Sequence, residues 1–380
     1  MSMLTPAAFM PLALWLYLML GRGMFWRAGD RDDAENIPAL THWPSVAAVV
    51  PARNEADVIA RSIGSLAAQD YPGRFQIVLV DDQSGDGTGE ILRTLNANPR
   101  LMVIPGAACP SRWTGKLWAM AQGVDRASAG DAPDYLWFTD ADIAHAPDSL
   151  RRLVCRAEVY NLKLTSLMAK LSCVTPAERF LIPAFVYFFQ MLYPFAWVNN
   201  AKSGMAAAAG GCMLVKRTSL ERAGGLAAIR GALIDDCALG ELMKTQGPIW
   251  LGLTERSVSI RPYPNLRAIR RMVARSAYAQ LNYSPLLLAG TLVGLLIIFI
   301  APVLLALAGT GVVRLAAITA WLFMAVSFIP TLRFYGRSSL WSLALPAIGL
   351  LYAAFTLDSA VQHWRGRGGM WKGRAQAITQ

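Results

Sequence analysis

Gln76-Ile77-Val78-Leu79-Val80-Asp81-Asp82-Gln83-Ser84-Gly85-Asp86-Gly87-Thr88 is the stretch that decides the architecture. Residues 76–80 read as a strand without a charge. Two acids close it, and a Gly-rich turn opens a helix over 87–95. Unbroken apolar strands are those covered on both faces of a parallel sheet. In such sheets ligands bind beyond the carboxyl ends of the strands. An acid there can accept from a base N–H or a ribose hydroxyl, which makes Asp82, beside Asp81, a candidate nucleoside contact. Asp-Gly turns are common, and alone the stretch names no ligand.

The pattern repeats on either side. Apolar runs at 46–50, 101–104, 135–138 and 164–168 alternate with helical patterns near 55–68, 115–127 and 149–159. This spacing predicts an α/β domain over residues 41–262, with a mostly parallel central sheet and helices on both faces. Pro51-Ala52-Arg53-Asn54-Glu55 ends the first strand. Its backbone N–H groups and Arg53 can meet a nucleotide, so Pro51, Arg53 and Glu55 are candidate donor contacts. A plain strand-to-helix turn would read the same way. Trp113-Thr114-Gly115-Lys116 opens another helix, and Lys116 is either a diphosphate contact or an exposed lysine.

Asp140-Ala141-Asp142 follows the run at 135–138. Residues i and i+2 of an extended chain point to one side, so the two carboxylates can converge on a hard cation. Magnesium and manganese take such oxygens together with substrate phosphates. The expected metal ligands are Asp142 and Asp140, with Asp140 also against the donor; a solvated turn is the alternative. Asp235-Asp236 sits between apolar residues, where acids are costly to bury without purpose. A carboxylate of modestly raised pKa suits a general base, and a helix N-cap pair is the alternative.

The chain has 380 residues, 54% hydrophobic and 16% charged, with a formal net charge of +11 and a mean hydropathy of +0.36. Soluble domains carry about 25% charged residues. Disorder is excluded and a wholly soluble protein is disfavoured. The five cysteines include no CxxC pair, against a disulfide framework or zinc site and in favour of a reducing compartment.

Residues 4–20 form an apolar run read as an uncleaved anchor, residues 1–22. Arg22, Arg27 and Arg31 follow it, which puts the N-terminus outside and the chain from Gly21 in the cytoplasm. Residues 285–309, 312–332 and 340–360 are each long enough to span, within a C-terminal membrane region and basic tail over 285–380. Arg365, Arg367, Lys372 and Arg374 argue for a tail inside, whereas three full spans would put it outside. Residues 180–198 are apolar and aromatic, read as a buried core helix or, favoured by the rings, a re-entrant or interfacial segment. Arg256, Arg261, Arg267, Arg270, Arg271 and Arg275 cluster before the first span, with Leu266, Ile269 and Val273 at helical spacing. They predict a basic amphipathic interfacial helix, set within 263–284 and also placed to receive a phosphorylated ligand, or a solvated flank. Nucleic acid is not expected as a partner, because no such motif occurs.

Four motifs in order, PARNEADVI, LVDDQSGDGT, TDADI and IDDCALG, resemble the family 2 glycosyltransferases of the GT-A fold. The resemblance implies that Asp82 helps bind the nucleotide, that Asp142 ligates the metal with Asp140 assisting, and that Asp236 is the base of an inverting transfer. Longer matches, among them 113–119, 206–215, 229–240 and 271–290, look like the hopene-associated glycosyltransferases of bacterial hopanoid gene clusters. This implies a nucleotide-sugar donor, UDP-linked by family default, a hopanoid or related polyisoprenoid lipid as acceptor, and a multi-pass protein of the bacterial inner membrane with a cytoplasmic catalytic domain. Many membrane members carry a Gln or Arg, two residues, then Arg-Trp. Here Arg275 corresponds to the motif arginine, a candidate substrate contact, while Met272 and Ser276 replace the leading polar residue and the tryptophan. That departure points away from a growing glycan as acceptor. Polyprenyl phosphate as acceptor, and a non-catalytic lipid-binding relative, are the alternatives.

Overall fold

The computed structural model describes residues 4–33, 38, 40–95, 98–371 and 374–375. Its contacts divide the chain into two compact units, one α/β and one helical.

The α/β unit comprises residues 30–172, 197–261 and 370–380. Its sheet contains β1 (Val46–Ala52), β2 (Phe75–Asp81), β3 (Leu101–Pro105), β4 (Tyr135–Phe138), β5 (Ile143–His145), β6 (Leu164–Lys170), β7 (Met213–Lys216) and β8 (Ile249–Ser259), in the order β3-β2-β1-β4-β7-β6-β8-β5. The first four are mutually parallel, with Val46 opposite both Phe75 and Tyr135. β7 runs antiparallel to β4 and β6, β6 and β8 are parallel, and β5 closes the edge antiparallel to β8. The mostly parallel sheet read from sequence is present, with an antiparallel graft on one side.

Alternation along the strands sorts the two faces. Val46, Ala48, Val50, Ile77 and Leu79 enter a core with Ile59, Ile63 and Leu66 of helix Ile59–Ala67 and Leu150, Leu153 and Val154 of helix Ser149–Val159. Val49 and Val80 point the other way, toward helix Gly115–Ala127. Gly123 permits that approach, since a Cβ there would lie 2.4 Å from Val49 Cγ1.

Three strands of this sheet escaped the sequence reading. β5 is three residues long, and β7 is a four-residue strand that follows the Ala-Gly run at 206–211. β8 begins apolar but ends in Thr254-Glu255-Arg256-Ser257, a polar edge without an unbroken hydrophobic run. Arg256 and Arg261 therefore do not belong to the basic helix. Arg256 is a β8 residue paired with Asp148 at 3.1 Å, and Arg261 lies just beyond that strand. The first helix also starts later than expected, because residues 53–58 are occupied by a turn.

The helical unit comprises residues 1–29, 173–196 and 262–369. Three of its helices, Pro285–Ala308, Gly311–Phe334 and Ser339–Trp364, are long and apolar enough to cross a membrane. The N-terminal helix Leu4–Leu16 continues through a π turn, Tyr17–Gly21. It is not a separate element: Trp15 is fully buried, and its indole N–H donates to the Ile298 carbonyl at 2.8 Å. That carbonyl lies in a second π turn, Leu296–Ile300, a distortion that alters the regular hydrogen-bond ladder.

Residues 173–196 cluster with these helices, although the sequence reading kept 41–262 together. The cause is packing along helix Pro176–Leu192. Tyr187 bonds Ser327 at 2.7 Å, the Tyr352 hydroxyl donates to the Leu181 carbonyl at 2.9 Å, and Phe188 sits against Phe299 and Tyr352. The segment read as a buried core helix or a re-entrant or interfacial segment is thus, over most of its length, a helix packed against the apolar helices of its unit. Buried Glu178 completes its capping box with Thr175 and also accepts the Tyr263 N–H at 2.6 Å.

Helix Leu266–Ala274 is the basic amphipathic element expected. Ile269 and Val273 are buried, while Arg267, Arg271 and Arg275 are exposed at successive i+4 positions. Arg270 reaches Asp358 at 3.7 Å. Of the basic tail residues, Lys372 lies outside the described residues.

Candidate active site

The carboxyl ends of β2, β1 and β4 are adjacent, so the loops that follow them converge. The first two loops are locked to each other. Asn54 N–H donates to Ser84 Oγ, Glu55 N–H to Thr88 Oγ1, and Ala56 N–H to Asp86 Oδ2, at 3.0, 2.8 and 3.1 Å. Gly85 N–H returns a bond to Asn54 Oδ1 at 2.9 Å. In this arrangement these backbone N–H groups serve the neighbouring loop. Pro51 lies buried within β1, opposite Val80. Arg53 donates to the Asp82 carbonyl and lies 3.6 Å from its carboxylate. Asp82 is fully buried in this arrangement.

Beyond β4 the chain does not stay extended. Ile143 N–H donates to the Asp140 carbonyl at 3.2 Å, closing a turn over Asp140-Ala141-Asp142. The two carboxylates consequently take different partners instead of sharing a side by strand alternation. Asp140 meets Lys116 Nζ at 2.8 Å, and Asp142 accepts from Arg261 Nε at 2.9 Å.

Lys116 stands in the first turn of helix Gly115–Ala127, whose N-cap is Thr114. Its ammonium also contacts Asp235 at 2.9 Å. Burial alone would lower the Lys116 pKa, but Asp140 and Asp235 hold it well above its ordinary value. The lysine is therefore a buried cation between two motifs and not an exposed residue.

Asp235 and Asp236 open helix Asp235–Lys244. Asp236 Oδ2 accepts from Gly210 N–H at 2.9 Å and Oδ1 from Cys237 N–H at 2.8 Å. A Cβ on Gly210 would lie 3.4 Å from both Asp236 Oδ2 and Lys116 Nζ, so the bare backbone brings them together. Burial, then the adjacent Asp235 carboxylate, push the Asp236 carboxyl up to about 6, against opposing pulls from Lys116 and the two backbone N–H groups. Glu55, Asp140, Asp142, Asp235 and Asp236 share two cations, Lys116 and Arg261. The formal excess is negative, and a doubly anionic diphosphate would enter against it.

That imbalance and the donor chemistry fit a hard divalent cation. Asp140 and Asp142 offer carboxylate oxygens in the number magnesium or manganese uses when phosphates complete the shell, and both already attract side-chain cations. Among the described residues, no group of three His, Cys, Asp or Glu side chains could hold a metal unaided.

Sequence reasoning missed His145 and Gly210, and it named Arg261 only within the basic cluster before the first span, without its pairing to Asp142 and Glu55. His145 is buried between Thr139 Oγ1 and Ser257 Oγ, 2.8 Å from each, and Thr139 donates onward to the Gly211 carbonyl at 2.9 Å. It thereby braces the residue before Asp140. Burial holds its pKa down, at about 3, so the ring is neutral. His145→Ala should destabilise the protein by about 1–3 kcal/mol through the orphaned hydroxyls. In the parent, the unfolded chain alone binds the imidazole proton as pH falls from about 6.5 toward 3, so stability should decline there. Unfolding measured from pH 8 to 4 should show this slope reduced in the variant. Equal curves would deny His145 the bracing role. Arg275, by contrast, is the C-cap of helix Leu266–Ala274 in the helical unit.

A mostly parallel sheet with acids at adjacent strand ends and a mixed extension is the GT-A fold. The sequence profile described as glycosyl transferase family 2 matches residues 47–224. An N-acetylglucosaminyltransferase of Bradyrhizobium sp. is 32% identical over 113 residues, 29% of this chain and 69% of that protein. The chain belongs to glycosyltransferase family 2. The beta-monoglucosyldiacylglycerol synthase of Synechocystis sp. is 33% identical over 124 residues, 32% of this chain and 24% of that protein. The aligned region spans about a quarter of the first two curated relatives. The mannosyltransferase PcManGT of Pyrobaculum calidifontis, solved in complex with GDP-Man and Mn2+, superposes with a TM-score of 0.53 at 20% identity, over 95% of this chain and 99% of that one.

Proposed function

We propose that this protein transfers one sugar from a nucleoside-diphosphate donor, UDP-linked in the family's default, to a hydroxyl of a membrane lipid, with inversion at the anomeric carbon. The observation that carries this reading is the Asp236 carboxylate, raised toward neutrality and held by Gly210 and Cys237 beside the Lys116–Asp140–Asp235 network. Asp236 accepts the acceptor hydroxyl's proton as its oxygen attacks the anomeric carbon, and the bond from that carbon to the diphosphate oxygen breaks, so that the nucleoside diphosphate leaves with the bonding pair. Lys116 supplies positive charge near the donor, and Asp140 and Asp142 would hold Mg2+ or Mn2+, which offsets diphosphate charge when bound. Arg53 and Asp82 form the nucleoside end of the site.

Three apolar helices and a diacylglycerol-glycolipid synthase among the relatives support a lipid acceptor drawn from the bilayer. A hopanoid or related polyisoprenoid alcohol is the acceptor we favour, at the bacterial inner membrane with the α/β unit in the cytoplasm. The negative excess around Asp236 disfavours polyprenyl phosphate, which is already anionic and needs less base catalysis.

The test uses full-length protein in detergent with radiolabelled UDP- and GDP-sugars, with and without Mn2+, offered a hopanoid alcohol, a diacylglycerol or a polyprenyl phosphate. Label on a lipid hydroxyl supports the reading. Label on polyprenyl phosphate alone transfers the assignment to that acceptor, and no sugar transfer to any lipid overturns it.

A further inference from the structure

Arg261 follows β8 and is the last residue of its segment of the α/β unit. The sequence placed it on a membrane-facing helix. The structure instead turns its side chain to the acids at the strand ends. Nε donates to Asp142 Oδ2 at 2.9 Å, and Nη2 meets Glu55 Oε2. Glu55 is only 8% exposed, and its backbone N–H is fixed on Thr88. The guanidinium is thus anchored to a buried glutamate by one nitrogen while another occupies the metal-ligand candidate. A planar fork that stays charged is well suited to two carboxylates at once. A divalent cation that approaches Asp142 Oδ2 meets a positive charge already paired with that oxygen and must compete with it.

We infer that Arg261 is a latch on Asp142: in the donor-free protein its guanidinium is paired with the metal ligand's carboxylate, and a cation must compete with that charge. The inference rests on Asp142 being a metal ligand, as proposed above. Three consequences follow from charge. Without the latch, Asp142 and Glu55 would face each other's field unneutralised. With it, metal alone binds weakly, because binding breaks a charged hydrogen bond without replacing the arginine's counterion. When a donor diphosphate accompanies the metal, the displaced guanidinium gains an anion it pairs with bidentately. Arg261 is accordingly a positioning residue that favours joint loading of metal and donor over metal alone.

The experiment titrates Mn2+ into donor-free, full-length protein in detergent and follows the free-ion signal by electron paramagnetic resonance. Arg261→Gln should bind Mn2+ about tenfold more tightly than the parent, because a charge-assisted hydrogen bond and a like charge no longer compete for the carboxylate. Circular dichroism and melting confirm that the variant is folded. Should loss of the Glu55 partner prevent folding, Arg261→Lys decides, because one ammonium serves two carboxylates less well and Mn2+ should again bind more tightly. A folded variant with unchanged or weaker Mn2+ binding overturns the latch. Asp142→Asn separates the two levels: if parent and variants alike bind no Mn2+, or Asp142→Asn binds it as the parent does, the metal reading falls and the latch with it.

Discussion

Asp236→Asn should lower kcat by about 10²–10⁴-fold, the usual contribution of a general base, while nucleotide affinity stays within a few-fold of the parent. The amide can still accept one of the two backbone N–H bonds now made by Gly210 and Cys237. The loop at Gly210 should therefore persist. What disappears is the lone pair that takes the proton. The pH profile gives a second reading of the same residue. The working form is the carboxylate, and its pKa is raised to about 6 by burial and by Asp235. The parent's kcat/KM should consequently rise as pH increases through about 6 and then level off. The residual activity of Asp236→Asn should lack that limb. Nucleotide binding lost in proportion to kcat would move Asp236 to the donor site instead.

Asp142→Asn should be as severe through a different route. A ligand carboxylate contributes charge to the cation and, through it, to the diphosphate. Removing a mere partner of a metal ligand costs ~10–100-fold in affinity or activity, so losing the ligand itself should cost at least the upper figure in turnover. Donor affinity should fall as well, which distinguishes this variant from Asp236→Asn. Folding should survive, since the side chain is partly exposed in a turn beyond β4. The same assay with EDTA provides the check: undiminished parental turnover after chelation would remove the metal role.

The sheet was legible wherever strands are apolar from end to end. β1, β2 and β4 show it most clearly, because both faces are covered and hydrophobicity needs no alternation to be seen. β8 was illegible for the opposite reason. Its second half exposes Glu255 between buried Thr254 and half-buried Arg256, and charge there suggested a helix face. The acids of the candidate site were legible because strand-end carboxylates have few structural uses. Their partners were not. Arg261 is separated from Asp142 by 119 residues and from Glu55 by more, and no local pattern signals a pairing made by the sheet's topology. An excess of acids over cations in the motifs was the available signal that some arginine must come home to them. Asp140-Ala141-Asp142 shows a subtler failure: the extended geometry expected there is absent, because a backbone bond from Ile143 folds the motif into a turn.

The interlocked loops after β1 and β2 have a consequence for redesign. Asn54, Glu55 and Ala56 spend their N–H groups on Ser84, Thr88 and Asp86, and Asn54 receives Gly85 in return. Neither loop has a conformation of its own to transplant. A chimera that imports residues 53–56 from a relative without residues 83–88 would break four hydrogen bonds and leave both strand ends without a defined mouth. For any redesign of the proposed nucleotide site, the unit of exchange is the pair, moved together as a two-piece cassette.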